Sequence, residues 1–425
     1  MRIGAAGVPV GELIVEKEGR RETSIFTYDQ SWIDHPAGFD IAPNMPRGRA
    51  PIYSNKAQGS SLPSPIGDGA PDSWGRAIIK VASGGKVESD LDYLIESDDF
   101  LRSGALRYFD GPDAEATALA APPKDRVSIP RLLELGQVIA EARAFEADPI
   151  HYREKRANLV GGKLLMNAVG SLGGARPKVN ARDDEGALWI VKLAKQDDLY
   201  AVARAEVMAL RLADHVGIRA STANILPSGD RFPVAVVKRF DRDQKGSRIP
   251  FISAQTFMGL PGAEPGNYVD LALQMRAWSQ DPATDMLELY RRLAFNVLIQ
   301  NTDDHLRNLG FLYRGNGKWG LSPAYDVNPV PEVEPTLKTA ISEMHGGALD
   351  IEAVVEVAPY FDLDLDEATK VVSTMAETIR NDWRQIGVRA GMTASDLAAI
   401  DTAMDNSQVE TAVAMAAPKV PGLSA

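Results

Sequence analysis

Apolar and polar positions alternate along this chain in two periods, and the change from one to the other outlines its elements. Leu287, Tyr290, Leu293, Ala294, Val297 and Leu298 recur three and four residues apart, which predicts a helix. It should stop near Asn301, because the Asn, Thr and Asp that follow favour caps and turns over a helix interior. Leu309–Leu312 then reads as a strand, with Trp319–Leu321 as its hairpin partner across the Arg314–Gly317 turn. The chain continues into an acidic turn, Ser322-Pro323-Ala324-Tyr325-Asp326.

The same reading extends over the rest of the chain. Glu12–Val15 and Ser24–Tyr28 predict a hairpin around the polar Glu16–Arg21 turn. A Pro/Gly-rich passage from His35 to Pro65 leads to a helix capped by Asp72 or Ser73, with Trp74 expected in the core. Ala114–Pro123 reads as a linker, and a helix is expected over Pro130–Phe145. Strands are expected at Leu188–Leu193, Val234–Phe240 and Ile249–Ser253, with a helix at Ala201–His215 ended by Gly217. Beyond Ser253 the pattern is mainly helical. Ala368, Val371, Val372, Met375, Ile379 and Trp383 form one core face, and Thr393–Asp396 caps the expected final helix. Ala416–Ala425 reads as a frayed tail. There is no internal repeat.

Composition narrows the classes. A chain of 425 residues is long enough for more than one domain or lobe. Its net charge of −12 argues against a broad nucleic-acid surface as its main function. With no cysteine it has neither disulfides nor thiolate chemistry, which fits a reducing compartment, and a cytoplasmic location is expected. No stretch reads as a signal peptide or a membrane span, and the five histidines have no metal-ligand spacing.

Candidate chemistry gathers in the polar loop and the acidic turn. Asp303, Asn308 and Asp326 follow the spacing logic of phosphoryl transfer: an Asp as base, an Asn five residues later on a metal, and a later Asp on the same metal. Oxygen ligands of this kind suit Mg²⁺. The bland alternative is a polar loop of capping residues. Upstream, Gly170, Gly173 and Gly174 make either a tight turn or a loop that approaches an anion closely, with Arg176 and Lys178 adding positive charge. It is not a Walker A loop. Lys192, embedded in a strand, either snorkels to solvent or points at a phosphate. Glu206 is either a solvated surface charge or the acid that pairs with Lys192.

Taken in order, Gly-Gly-Ala-Arg-Pro-Lys (173–178), Trp-Ile-Val-Lys (189–192), Val-Lys-Arg-Phe-Asp-Arg (237–242), Asn-Thr-Asp-Asp-His-Leu-Arg-Asn (301–308) and Ser-Pro-Ala-Tyr-Asp-Val (322–327) resemble the HipA family. These are serine/threonine kinases that act as toxins in bacterial type II toxin–antitoxin pairs. Pro-Asp-Ser-Trp-Gly-Arg (71–76) resembles the family's N-terminal subdomain.

The resemblance implies an α+β, two-lobed, protein-kinase-like fold. Residues 1–115 would form the N-terminal subdomain, 116–240 the nucleotide-binding part of the β-rich lobe, 241–415 the helical catalytic lobe and 416–425 the tail. It implies ATP and Mg²⁺ as cofactors, Asp303 as catalytic base, and Asn308 and Asp326 as Mg²⁺ ligands. Lys192 would hold the ATP phosphates beneath a loop of Gly173, Gly174, Ala175, Arg176, Pro177 and Lys178. Lys238, Arg239 and Phe240 would meet the adenine through their backbone, and His305 and Tyr325 would lie beside the nucleotide. Ser171 stands where the family carries a serine open to autophosphorylation. Lys238 and Arg176 depart from residues seen in some members. The implied partners are a HipB-like helix-turn-helix antitoxin, which would carry the DNA contact, and an aminoacyl-tRNA synthetase as protein substrate, with no membrane. A non-catalytic co-repressor scaffold and a small-molecule phosphotransferase are the competing readings.

Overall fold

A computed structural model describes the chain apart from residues 20, 56–59, 112–116, 120–128, 156–164, 166–167, 169–175, 230, 263, 333 and 417–425. The polypeptide forms two compact units. The first comprises Met1–Asp197, Leu226–Glu264 and Gly310–Ser322, and the second Asp198–Ile225, Pro265–Leu309 and the chain from Pro323 on. Each is assembled from separate stretches of sequence, whereas the sequence reading expected contiguous segments.

Local patterning sets the strands of the first unit. Gly11–Glu18 and Arg21–Tyr28 pair antiparallel, with Leu13 opposite Phe26, and Ile52–Asn55 adds a third strand. Alternate residues of Arg21–Tyr28 point inward, so Phe26 and Tyr28 are buried. A second antiparallel group joins Lys178–Arg182, Leu188–Lys192 and Val234–Lys238, with Lys192 opposite both Lys178 and Ala235. Its apolar face packs on the helices Ser73–Ala82 and Leu135–Ala147 through Val191, Val236, Ile78, Val138 and Phe145. Trp74 is the expected core anchor, edge-on to Phe145 at 6.4 Å.

The hairpin after the polar loop also belongs to this unit. Gly310–Gly315 pairs with Lys318–Leu321 on one side and with Phe251–Ser253 on the other, Phe251 lying opposite Leu312. Tyr313 stacks on Phe39 with ring centroids 3.7 Å apart. Partners almost sixty residues upstream claim the hairpin, so it separates from the helical stretch in which its sequence sits.

The second unit is helical. Pro282–Leu298 starts from Asp281, whose carboxylate accepts the Thr284 N–H, with Pro282 at a position where a missing N–H costs nothing. Leu365–Arg389 buries Ala368, Val372, Met375, Ile379 and Trp383, as its spacing predicts. Thr393 and Asp396 form a reciprocal cap on Ala394–Met404, but that helix is not the last. Ser407–Met415 follows, restarted by Asn406, whose carboxamide oxygen accepts the Gln408 and Val409 N–H groups.

Candidate active site

The candidate catalytic loop begins where helix Pro282–Leu298 ends. Gln300 adopts a left-handed backbone at φ 50°, which turns the chain, and the Asn301 N–H closes back on the Asn296 carbonyl at 2.9 Å. A buried relay then fixes the loop. Asn301 donates to Asn296 Oδ1 at 3.0 Å, Asn296 to the Tyr268 hydroxyl at 2.9 Å, and Tyr268 to Asp304 Oδ2 at 3.0 Å. The other oxygen of Asp304 accepts the Lys338 and Thr339 N–H groups at 2.9 and 3.2 Å, and the Thr339 hydroxyl donates to the Asp304 carbonyl at 2.7 Å. Burial pushes the Asp304 carboxyl up to about 7, although these bonds favour its charged form.

The relay leaves the neighbouring aspartate free to face outward. Asp303 has a side chain 51% exposed and ion-paired to Lys338. Its carbonyl accepts the Asn308 carboxamide N–H at 2.8 Å, across the turn Leu306–Asn308. The acidic turn is tied to the same loop, since Asn301 Oδ1 accepts the Asn328 N–H at 3.1 Å and the Tyr325 hydroxyl donates to the Arg307 carbonyl at 2.8 Å. Asp326 holds a left-handed backbone at φ 54°, an uncommon conformation for a non-glycine residue and one found at functional turns. His305 lies within the field of both acids. Burial lowers its pKa, the charges of Asp303 and Asp326 oppose that, and its buried Nδ1 has no hydrogen-bond partner.

Asn308, Tyr325 and Asp326 line one small cavity of about 20 Å³, together with Asn301 and Asp304. Five of the residues named from sequence, Asp303, His305, Asn308, Tyr325 and Asp326, are therefore gathered by two tethered loops. The donor set fits Mg²⁺: Asn308 spends its N–H on the Asp303 carbonyl, which leaves the amide oxygen for a hard cation, and Asp326 supplies a carboxylate. Among the described residues, no three His, Cys, Asp or Glu cluster as a metal cage. One carboxylate and one amide are nonetheless what Mg²⁺ takes from a protein when phosphates and water complete its shell.

The nucleotide candidates of the first unit are mostly interior groups. Lys192 is buried, which excludes snorkelling, and Glu206 of the second unit is buried too, which excludes a solvated surface charge. Lys178 is buried with its Nζ 3.8 Å from Asp72 Oδ2. Burial raises the Asp72 carboxyl to about 6, in spite of Lys178 and of the Gly75 N–H that it caps. Pro177, beside the half-buried Arg176, accepts the Leu193 N–H at 2.9 Å.

Lys238 is exposed, with its ammonium 5.9 Å from the centre of the Trp189 ring. Arg239 is spent on structure: it donates to Asp241 at 2.6 and 2.9 Å, to Asn180 Oδ1 at 2.8 Å and to the Leu101 carbonyl at 2.7 Å. Burial opposes the Asp241 charge, but Arg239 and Arg242 hold the carboxyl well below the usual carboxylate range. Phe240 packs 5.9 Å from Phe251. Ser171, Gly173, Gly174 and Ala175 lie outside the described residues.

Sequence reasoning missed Asp304 as an anchor, Lys338 as a partner of Asp303, and the Asp72–Lys178 pair. Asp304 was visible only as the second of two adjacent aspartates. Lys338 carried no local signal.

Two family models match the chain: the HipA N-terminal domain over residues 1–98 and the HipA-like C-terminal domain over residues 170–383. The chain belongs to the HipA family. Among HipA-like proteins of known structure, it superposes on HipA of Shewanella oneidensis, described in complex with HipB and operator DNA as a toxin–antitoxin system. The TM-score is 0.67 at 15% identity, covering 97% of this chain and 96% of that one. Two relatives from Sinorhizobium fredii are provisionally named as kinases. Y4mE is 25% identical over 75% of this chain and 76% of its own length, and Y4dM is 29% identical over 35% and 39%. The HipA fold of the chain is thus a kinase-like α+β fold in two units. No helix among the described residues is long and apolar enough to cross a membrane.

Proposed function

We propose that this member of the HipA family is an ATP- and Mg²⁺-dependent protein serine/threonine kinase and the toxin of a toxin–antitoxin pair. The observation that carries the reading is the gathering of Asp303, Asn308 and Asp326 by two loops tied through Asn301. The provisional kinase names of Y4mE and Y4dM support the activity, and the HipB complex of the Shewanella protein supports a helix-turn-helix antitoxin partner. The family resemblance supplies an aminoacyl-tRNA synthetase as the expected substrate, and Ser171 as a site of self-phosphorylation.

In this reading Asp303 accepts the proton of the substrate hydroxyl while that oxygen bonds to the terminal phosphorus of ATP and the bond from that phosphorus to the β-phosphate oxygen breaks, releasing ADP. Its half-exposed side chain suits contact with a protein substrate. Asn308 and Asp326 would hold Mg²⁺, which would neutralise charge on the phosphates. The buried relay through Asp304 keeps Asp303 aimed without itself touching substrate. By the family resemblance, Lys192 would hold the ATP phosphates.

The test is transfer of γ-labelled phosphate from ATP in Mg²⁺ by the purified protein, alone and with cell lysate, after intact mass has excluded prior phosphorylation. Label on Ser171 or on a lysate protein is expected, falling at least about a hundredfold in Asp303→Ala with ATP still bound. Bound ATP without transfer from the unmodified protein would favour a co-repressor scaffold. Label on small molecules alone would favour a small-molecule phosphotransferase.

A further inference from the structure

The backbone around Lys338 is held beside the candidate base by hydrogen bonds to the buried Asp304. The Lys338 N–H is captured by Asp304 at 2.9 Å, and the next residue, Thr339, binds Asp304 twice, through its N–H at 3.2 Å and its hydroxyl at 2.7 Å. The flanks are fixed as well. Leu337 N–H bonds the Gly347 carbonyl at 2.8 Å, Ala340 N–H the Gly266 carbonyl at 3.1 Å, and Tyr268 N–H the Ala340 carbonyl at 2.9 Å. Yet the side chain that this scaffold presents is 59% exposed and reaches out to pair with Asp303.

Stability alone does not account for that arrangement. An exposed ion pair contributes roughly 0–1 kcal/mol, whereas the scaffold spends a buried carboxyl, Asp304, on holding the backbone of an exposed lysine. His305 senses the same cluster: the charges of Asp303 and Asp326 favour its protonation and that of Lys338 opposes it. The Lys338 ammonium pairs directly with the candidate base.

We propose that Lys338 is a phosphoryl-transfer residue of this site, holding the Asp303 carboxylate in the resting protein and giving its ammonium to the transferred phosphoryl group during reaction. The proposal rests on the kinase reading above. The substrate O–H proton passes to Asp303 as the hydroxyl oxygen bonds to the terminal phosphorus, and the bond from that phosphorus to the β-phosphate oxygen breaks to release ADP. Lys338 stays protonated throughout. Because its pair with Asp303 is exposed and weak, a more highly charged phosphoryl group competes for the ammonium and frees the carboxylate to take the proton. The flexible four-carbon stem makes the exchange possible with the backbone fixed.

The experiment compares the full-length protein with Lys338→Met and Lys338→Arg. Three quantities are read: affinity for a fluorescent ATP analogue, the rate constant of γ-phosphate transfer, and carbodiimide modification of Asp303 without nucleotide, followed by peptide mass spectrometry. In Lys338→Met, transfer should fall by roughly 100- to 1,000-fold, the scale of losing one donor to a developing anion, with nucleotide affinity unchanged. Asp303 should be modified faster once its partner is gone, and Lys338→Arg should recover most of the transfer. Wild-type transfer that Lys338→Met retains would overturn this proposal alone. An equal loss in Lys338→Arg, with a lowered unfolding midpoint in both variants, would reduce Lys338 to a structural residue. Absence of transfer by the wild type would overturn the kinase reading and this proposal with it.

Discussion

Asp303 and Asp304 are adjacent residues of one type, and their surroundings give them opposite characters. Asp303 is half exposed and pairs with a lysine, whereas Asp304 accepts two backbone N–H groups and the Tyr268 hydroxyl in the interior. Burial raises Asp304 from its ordinary 3.8 to about 7. Across that window the folded chain binds more protons at this group than the unfolded chain, so its contribution to stability is present at low pH and fades as pH rises toward 7. Asp304→Asn keeps an acceptor for the two N–H groups and removes the titration. Urea unfolding at about pH 5 and pH 7.5 should show wild type losing more stability over the interval than the variant. Equal losses would mean that Asp304 does not titrate there. Asp72, raised to about 6 in the same sense, is present in both proteins and drops out of the comparison.

Elements carry the site by how closely they approach each other. The segment bearing Lys338 runs against Gly347, where a side chain would put Cβ 2.5 Å from the Leu337 carbonyl oxygen and 3.0 Å from Thr336 Cγ2. Gly347→Ala must therefore push back the backbone that presents Lys338. The expected cost is about 1–3 kcal/mol by chemical denaturation, and phosphoryl transfer should slow even in the fully folded protein. A variant as stable and as active as wild type would show that the segment relaxes without disturbing the site. Elsewhere the elements follow their local signals. The Arg314–Gly317 turn closes the hairpin with Asn316 at φ 52° and Gly317 at φ 72°, the residue types that tolerate this geometry.

For the whole molecule, the net charge of −12 bears on the proposed pairing with an antitoxin. Duplex DNA binding depends on basic side chains that displace counterions, and this chain has 46 Lys and Arg against 58 Asp and Glu. In a gel-shift assay at physiological salt, the chain alone should leave operator DNA unshifted. It should add a further shift only when the helix-turn-helix partner is present. A shift by the chain alone would assign it a DNA surface of its own.

Much of the fold was legible in the sequence wherever contacts are local. The Leu365–Arg389 face, the Gly11–Tyr28 hairpin, the Thr393 cap and the Trp74 anchor all follow from spacing or from residues within a few positions of each other. The motif residues Asp303, Asn308 and Asp326 were legible too, because a short loop and a turn confine them. Distance along the chain hid the rest. The Gly310–Leu321 hairpin joins Phe251–Ser253, and Asp303 meets a lysine 35 positions later. Which of two neighbouring aspartates is buried depends on Tyr268 and Thr339, residues that only folding brings to it. Period and turn chemistry are properties of a stretch of chain, so sequence determined the elements and the acids they display. Burial and charge pairing depend on partners far along the chain, so tertiary structure alone decided which acid anchors the loop and which faces outward.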